Sequence, residues 1–366
     1  MEFEIDQSRA VAAVALASAV ADKRSTSPIL ANVLIRADAD GVTFLATDMM
    51  IGTAEAVAAK VTTPGAITVK AGHLYNVLRV LPAGVVTITA MDNSWIQIHA
   101  GRSEFKIMGL PEGDFPDLPE TDATMVEIPS GSVIGLVDHT LFSVSTDEAR
   151  VNLNGALFES DGTTATMVST DGHRLTKYAL PMAGPVLPRG VVIPRKGLAE
   201  VRKVLDRVGG ICKIGISDSH LFVSAGALTL SVKLNLVTFP PWQQVVPKKT
   251  DRRVEASREE LVGALRQAIV MAPEKTSTVR MSLTRGLLTL HADNPELGSI
   301  ELSLEVDYSK SDLVAGFNAA YLLEALGTLE DDRVVLEFQG ELDPVVVRPA
   351  GDSPIDFLAV VMPMRI

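Results

Sequence analysis

Three kinds of landmark recur along this chain at one spacing. An Asp closes a strand-like run at Asp48 (Phe44-Leu-Ala-Thr-Asp48), Asp171 (Met167-Val-Ser-Thr-Asp171) and Asp293 (Leu290-His-Ala-Asp293), 123 and then 122 residues apart. A helix is predicted to open near Lys70, Pro194 and Asn318, each step being 124 residues. The pairs Phe115-Pro116, Phe239-Pro240 and Met362-Pro363 keep the same beat. A chain of 366 residues therefore reads as one design used three times. Units of about 120 residues can each bury a core, which solenoid repeats of roughly 20 to 50 residues cannot. The expectation is three tandem domains over 1–122, 123–249 and 250–366. Proline crowds both boundaries, at Pro111, Pro116 and Pro119 and again at Pro240, Pro241 and Pro247, where it limits strand pairing.

Each repeat is predicted to hold two helices among many strands. In the third, Ser257 precedes Arg258-Glu259-Glu260 as a capping box, and Leu261, Ala264, Leu265, Ala268 and Ile269 follow at helical spacing. The second helices carry the same apolar stripe: Leu74, Val77, Leu78 and Leu81, then Leu198, Val201, Leu205 and Val208, then Leu322, Leu326 and Leu329. Between helices the period changes to two. Ile300, Leu302, Leu304 and Val306 alternate with Glu301, Ser303, Glu305 and Asp307, the pattern of half-buried antiparallel strands. The fold class is α+β.

Hydrophobic content of 47% with 21% charged residues is that of a globular chain and argues against extensive disorder. Cys212 is the single cysteine, which excludes an intrachain disulfide and makes a reducing cytoplasm the expected home. The apolar run from Ala10 to Ala21 follows Glu2, Glu4 and Asp6 where export signals carry positive charge, so a buried, Ala-rich first helix is expected. A net charge of −12 counts against nucleic acid as a partner, because phosphate binding is driven by Lys and Arg displacing counterions. Distribution can overrule the total. Lys70, His73 and Arg79 lie in an acid-free stretch; Arg195, Lys196, Arg202, Lys203 and Arg207 face only Glu200 and Asp206 in theirs; Lys248, Lys249, Arg252 and Arg253 cluster in the second linker. The plain alternative is solvated helix faces and a polar linker.

No phosphate-binding Gly-rich loop, dinucleotide fingerprint or His-Glu-x-x-His motif occurs, and the six histidines stand singly. No cofactor and no metal are expected. One segment invites a catalytic reading, Thr170-Asp171-Gly172-His173-Arg174-Leu175, where Asp171 would orient His173 as a general base. The equivalent turns, Asp48-Met49-Met50 and Asp293-Asn294-Pro295, lack the His, which favours a turn or binding surface. The apolar ending Val360-Val361-Met362-Pro363-Met364-Arg365-Ile366 is either a last strand locked into a sheet or a surface that receives a partner.

Taken in order, Pro28-Ile29-Leu30-Ala31-Asn32, Gly101-Arg102-Ser103-Glu104-Phe105, Leu153-Asn154-Gly155, the 170–175 segment, Pro194-Arg195-Lys196-Gly197, Gly316-Phe317-Asn318 with Tyr321, and Val361-Met362-Pro363-Met364-Arg365 run the length of the chain. In these motifs the sequence closely resembles the bacterial DNA polymerase III β subunit, the sliding-clamp family. The resemblance implies three clamp domains per chain, two helices packed on antiparallel sheets in each, and a head-to-tail homodimer closed into a ring around duplex DNA. It implies a non-catalytic accessory subunit, opened by a separate ATP-driven loader. By family position, Arg24, Arg79, Arg195 and Lys196 would contact phosphate without regard to sequence. Leu153, Thr170, Gly172, His173, Arg174, Leu175, Pro240, Val245, Val360 and Met362 would hold the apolar end of a short linear peptide, which Asn318, Tyr321, Leu342, Pro363, Met364 and Arg365 would extend. The polymerase III catalytic subunit, the loader, other polymerases and repair proteins would compete there. Ring closure would bring Phe105 and Ile107 against Val270 and Met271 of the other protomer, flanked by Arg102 and Glu301. The implied location is the cytoplasm, with the nucleoid; no membrane partner is implied.

The chain departs from the family pattern at Asn235-Leu236-Val237-Thr238, at Trp242, and at Gln243-Gln244, where basic residues are frequent. The loop from Thr146 to Asn152 is more acidic than in some relatives and is not assigned to DNA. Two rival functions follow from the residues: a hydrolase using Asp171 and His173, and a multidomain scaffold that binds peptides without encircling DNA.

Overall fold

The computed structural model describes residues 1–366 except Lys23, Asp122, Pro188, Asp352 and Ile366. Among the described residues there are six α-helices: α1 (Gln7–Val20), α2 (Ala71–Val80), α3 (Ser130–Asp138), α4 (Arg195–Val208), α5 (Arg258–Val270) and α6 (Ala319–Gly327). Helices α2, α4 and α6 begin immediately after Lys70, Pro194 and Asn318, so the 124-residue beat read from the sequence is kept by the helix starts. The described residues fall into two compact units, Met1–Pro129 with Lys203–Leu234, and Ser130–Arg202 with Asn235–Ile366.

The first unit is built on a 13-stranded sheet. Its order runs from Val126–Pro129 through Ile211–Ile216, His220–Ala225, Leu228–Lys233, Ile51–Val57, Gly41–Thr47, Asn32–Asp38, Gly65–Lys70, Ser103–Leu110, Trp95–Ala100, Val85–Ala90 and Glu2–Asp6 to Lys60–Thr63. Helix α1 starts at Asp6, whose carboxylate accepts from the backbone N–H groups of Ser8 at 3.0 Å and Arg9 at 3.3 Å. Ala10, Ala13, Val14 and Ala17 of α1 are buried, and their small size lets α1 lie close on α2 and on the Gly41–Thr47 and Ile51–Val57 strands. Leu74, Val77, Leu78 and Leu81 supply the opposing face, as the stripe requires.

The second unit holds an eight-stranded and a four-stranded sheet. The larger runs Val191–Pro194, Gly155–Ser160, Thr164–Thr170, Arg174–Pro181, Asp356–Val361, Val345–Pro349, Arg333–Phe338, Arg252–Ser257; the smaller runs Gly298–Glu305, Leu287–Asn294, Thr278–Thr284, Leu313–Asn318. Ser257 caps α5 by accepting from the Glu260 N–H at 3.4 Å, and α5 packs on α6. Leu322, Leu326 and Leu329 are buried, but Val208, placed in the α4 stripe by its spacing, is 40% exposed because it is the last residue of that helix.

Both units cut across the expected three-part division because strands pair from repeat to repeat. Leu228–Lys233 of the second repeat continues the first repeat's sheet, in register from Leu228↔Glu55 to Val232↔Ile51. Asp356–Val361 of the third continues the second repeat's sheet, from Arg174↔Val361 to Ala179↔Asp356. The Asp landmarks also differ. Asp48 and Asp171 follow their strands and accept backbone N–H groups in the turn, whereas Asp293 lies inside Leu287–Asn294, paired with Ser299. Asn294 takes over the turn role there, accepting from the Glu296 N–H at 3.0 Å.

Candidate peptide-binding site

The hairpin between Thr164–Thr170 and Arg174–Pro181 is fixed by its own polar side chains. Thr170 Oγ1 donates to the Arg174 carbonyl at 2.6 Å and accepts from the Gly172 N–H at 3.1 Å, while Gly172 adopts φ +92°, a conformation that favours glycine. Asp171 Oδ1 accepts from the His173 and Arg174 N–H groups at 2.9 and 3.0 Å. Its other oxygen accepts from Arg174 Nε at 3.1 Å. The carboxylate is thus committed to the turn and the guanidinium rather than to the His173 ring. That removes the acid–base pair on which the hydrolase reading rested.

Arg174 is 9% exposed, and its remaining N–H groups donate to Glu324 and to the Phe142 carbonyl. Its guanidinium lies 4.4 Å from the Tyr321 ring centroid and 5.3 Å from that of Phe142. A buried cation is tolerable only with such complete pairing. Burial, then the Asp171 charge, raise the Tyr321 phenol above its ordinary value against the opposing effect of Arg174, so Tyr321 stays a neutral donor.

The chain's end runs along this turn. After the paired strand Asp356–Val361, the Met362 N–H donates to the His173 carbonyl at 2.9 Å and the Met364 N–H to the Gly316 carbonyl at 2.7 Å. Thr278 Oγ1 approaches Met364 Sδ at 3.5 Å. The strand reading of the apolar tail holds as far as Val361: Val360 and Val361 are buried strand, and Met362 follows it 37% exposed. Asn318 caps α6, its Oδ1 accepting from the Ala320 and Tyr321 N–H groups, which leaves Nδ2 for a ligand.

Beneath lies a buried cluster of Leu157, Val168, Leu175, Val192, Phe239, Val346, Leu358 and Val360, with Trp242 and Val246 packed against it. Lys177 lies 5.9 Å from the Trp242 ring centroid and pairs with Asp356, so Trp242 is held as a side wall. Leu175 and Val360 are fully buried floor; Val245 is 41% exposed, Pro240, Leu153 and Pro363 are half-buried, and Leu342 stands 76% exposed in its turn. Arg365 is exposed. The arrangement offers an apolar floor, adaptable thioethers and polar edges, and no nucleophile with its base: it is equipped to hold a chain segment. Sequence reasoning missed Phe142, Glu324 and Lys177 as parts of it, and noted Trp242 only as a departure from the family pattern at the rim. The charges of Glu324 and Lys177 gave no motif signal, since each acts through a partner 150 or 179 residues away.

The other anticipated contacts stand apart. Arg24 and Arg79 are exposed in the first unit, Arg79 lying 5.7 Å from the Tyr75 ring centroid at the end of α2. In the second, Arg195 and Lys196 occupy the first turn of α4, where the helix dipole disfavours cations. Arg202 is paired with Asp138 at 3.0 Å and Arg207 with Glu55 at 2.5 Å, so the basic stretch counted in the sequence is partly neutralised in place. Strand Ser103–Leu110 pairs along one side with Trp95–Ala100, but on its other side, among the described residues, only Gly109 and Leu110 are paired. Phe105 is half-buried on that open edge and Ile107 is 6% exposed, inside its own core. Gly298–Glu305 is likewise an edge, and Val270, at the end of α5, is 69% exposed beside half-buried Met271. Arg102 and Glu301 are exposed. Among the described residues no group of three His, Cys, Asp or Glu side chains could hold a metal, and no helix is long and apolar enough to cross a membrane.

Three family models match the chain: DNA polymerase III beta subunit, N-terminal domain, over residues 1–119; central domain, over 127–241; and C-terminal domain, over 243–365. The chain is similar to the beta sliding clamp of Pseudomonas aeruginosa, 31% identical over 369 residues, and to that of Caulobacter vibrioides, 30% identical over 374 residues, with 100% of each chain covered in both cases. A crystal structure of the DNA polymerase sliding clamp from Pseudomonas aeruginosa superposes with a TM-score of 0.94 at 30% identity, again over 100% of both chains.

Proposed function

The chain belongs to the DNA polymerase III beta-subunit family, the bacterial sliding clamps, and from that premise we propose how it works: as a non-catalytic processivity factor, two copies of which close head to tail around duplex DNA. The observation that carries this is the tiling of the whole chain by three clamp-domain models in order. It also supports the three-part division near 1–122, 123–249 and 250–366, with the two larger sheets each continuing across a repeat boundary.

A ring is retained by topology, so its contacts with DNA need only be weak and independent of sequence. That suits a chain of net charge −12 whose candidate phosphate contacts are few. Arg24, Arg79, Arg195 and Lys196 are the proposed contacts; keeping two cations in the first turn of α4, against the helix dipole, is the sort of local cost that a binding role explains. For closure, the open edge of Ser103–Leu110 on one protomer would pair with the Gly298–Glu305 edge of the other, satisfying unpaired backbone groups in both. Phe105, Val270 and Met271 would then be covered, with Ile107 supporting Phe105 from within.

Partner proteins would bind the trough of the second unit through short linear motifs. An apolar anchor over Leu175 and Val360 would supply about 2 kcal/mol or more of the affinity, and Asn318, Tyr321 and Arg365 the register. The polymerase III catalytic subunit, the loader and other polymerases and repair proteins would share it, which fits a cytoplasmic protein working at the nucleoid. Titration of the full-length protein with an apolar-anchored motif peptide tests this. Binding should be weakened at least about tenfold by Met362→Asp and be unaffected by substitutions at Arg24.

A further inference from the structure

Away from the trough, the second unit contains a cleft of about 430 Å³ whose lining includes His139, Tyr178, Phe357, Glu330 and Asp331. Its floor is aromatic. The His139 ring stacks on Tyr178 with centroids 4.1 Å apart and planes 19° apart, and meets Phe357 edge-on at 5.9 Å. The imidazole is held there by Nδ1–H donation to the Gly135 carbonyl at 2.8 Å, which leaves Nε2 as an acceptor in the neutral ring.

Tyr178 is only 5% exposed, yet its hydroxyl forms no hydrogen bond within the described residues. The residue lines the cleft, so a ligand entering it meets a hydroxyl that no described residue engages. Burial, then the charge of Glu330, raise the phenol above its ordinary value, so at neutral pH the carboxylate faces an uncharged hydroxyl. Glu330 and Asp331 contribute exposed carboxylates, and among the described residues no Lys or Arg lines the cleft. Three cations next to lining residues are engaged: Lys177 and Arg348 with Asp356 and Glu337, and Arg258 with the Asp331 carbonyl at 2.8 Å.

We infer that this cleft receives an organic cation on an apolar stem, either an arginine or lysine side chain of a partner or a free diamine, with its N–H groups directed at Tyr178, His139 and the two carboxylates. Each feature selects that class. The two carboxylates repel anions; Leu329, Ile355 and Phe357 favour a hydrocarbon stem over a bare metal ion; and an aromatic floor is attractive to a cation. The inference goes beyond the clamp reading and does not depend on it.

The test uses the full chain and three probes followed by ligand-observed NMR: agmatine, the peptide acetyl-Gly-Arg-Gly-amide, and its citrulline counterpart, which keeps the shape without the charge. Agmatine and the arginine peptide should bind saturably, the citrulline peptide about tenfold more weakly. Glu330→Gln combined with Asp331→Asn, isosteric changes at exposed positions, should weaken the cations about tenfold. Tyr178→Phe should weaken them about threefold while leaving the far-ultraviolet spectrum unchanged. Tighter binding of the peptide assigns the site to a protein partner; tighter binding of agmatine assigns it to a free amine. Equal binding of the citrulline peptide, indifference to the double substitution, or no saturation with either cation overturns the inference.

Discussion

The guanidinium of Arg174 lies 4.4 Å from the centroid of the Tyr321 ring, joining the turn after Thr164–Thr170 to the first turn of α6. The trough proposed to take a partner peptide is thus shaped by a buried cation. Its other N–H groups are bound to Asp171, Glu324 and the Phe142 carbonyl.

Replacing Arg174 by Ala should cost the second unit about 3 kcal/mol, because Asp171 and the Phe142 carbonyl lose a partner at a buried position. Lys should recover less than half of that, since an ammonium cannot reproduce the planar fork. Urea unfolding curves of the three proteins read the difference directly.

Asn318 both caps α6 and faces the proposed ligand. Asn318→Ala should lower stability by about 1 kcal/mol and weaken peptide binding, whereas Asn318→Asp, which still accepts from the Ala320 and Tyr321 N–H groups, should keep the stability and weaken binding alone. Thermal melts paired with peptide titrations separate the two.

Deleting Met362 to Ile366 leaves the pairing of Asp356–Val361 intact and removes the contacts of Met362 with His173 and of Met364 with Gly316. Peptide affinity should fall by about two orders of magnitude, equal to about 2.7 kcal/mol. Solution mass should stay that of the dimer; a monomer would show that the tail is structural.

Asp6 carries an acid-sensitive part of the first unit's stability. Its carboxyl is held below the ordinary value by the Ser8 hydroxyl, then by the Arg9 N–H. The unfolded chain therefore takes up this proton first, so the contribution is complete above the unfolded value of about 3.9 and is lost as pH falls through the lower folded value. Asp6→Asn, which still caps α1, should flatten the melting-temperature profile below about pH 4 relative to the native sequence.

Much of this was legible before any coordinates. The repeat beat, the three second-helix starts and the Ser257 cap are local or periodic signals, and they survive because amphipathic helices are specified by their own spacing. Strand pairing across repeats was not legible: nothing in Leu228–Lys233 announces Ile51–Val57 as its neighbour, although that ladder decides where the compact units divide. In the trough, the Thr170-Asp171-Gly172 turn was visible as chemistry but open to a catalytic reading until Arg174 was seen to occupy Asp171. Glu324 and Phe142 stayed hidden because a long arginine reaches partners that no sequence spacing records. Arg202 and Arg207 looked free for phosphate for the same reason in reverse, their acids Asp138 and Glu55 lying far off in sequence.

The central claim is that threading, not adhesion, holds this protein on DNA. The most direct measurement loads it with a clamp loader and ATP onto nicked circular duplex, raises the salt to strip ordinary basic binders, and then linearises half of the sample. The account predicts retention on the circle and release from the linear form within the time needed to slide to an end. Equal loss from both, or equal retention on both, would contradict it.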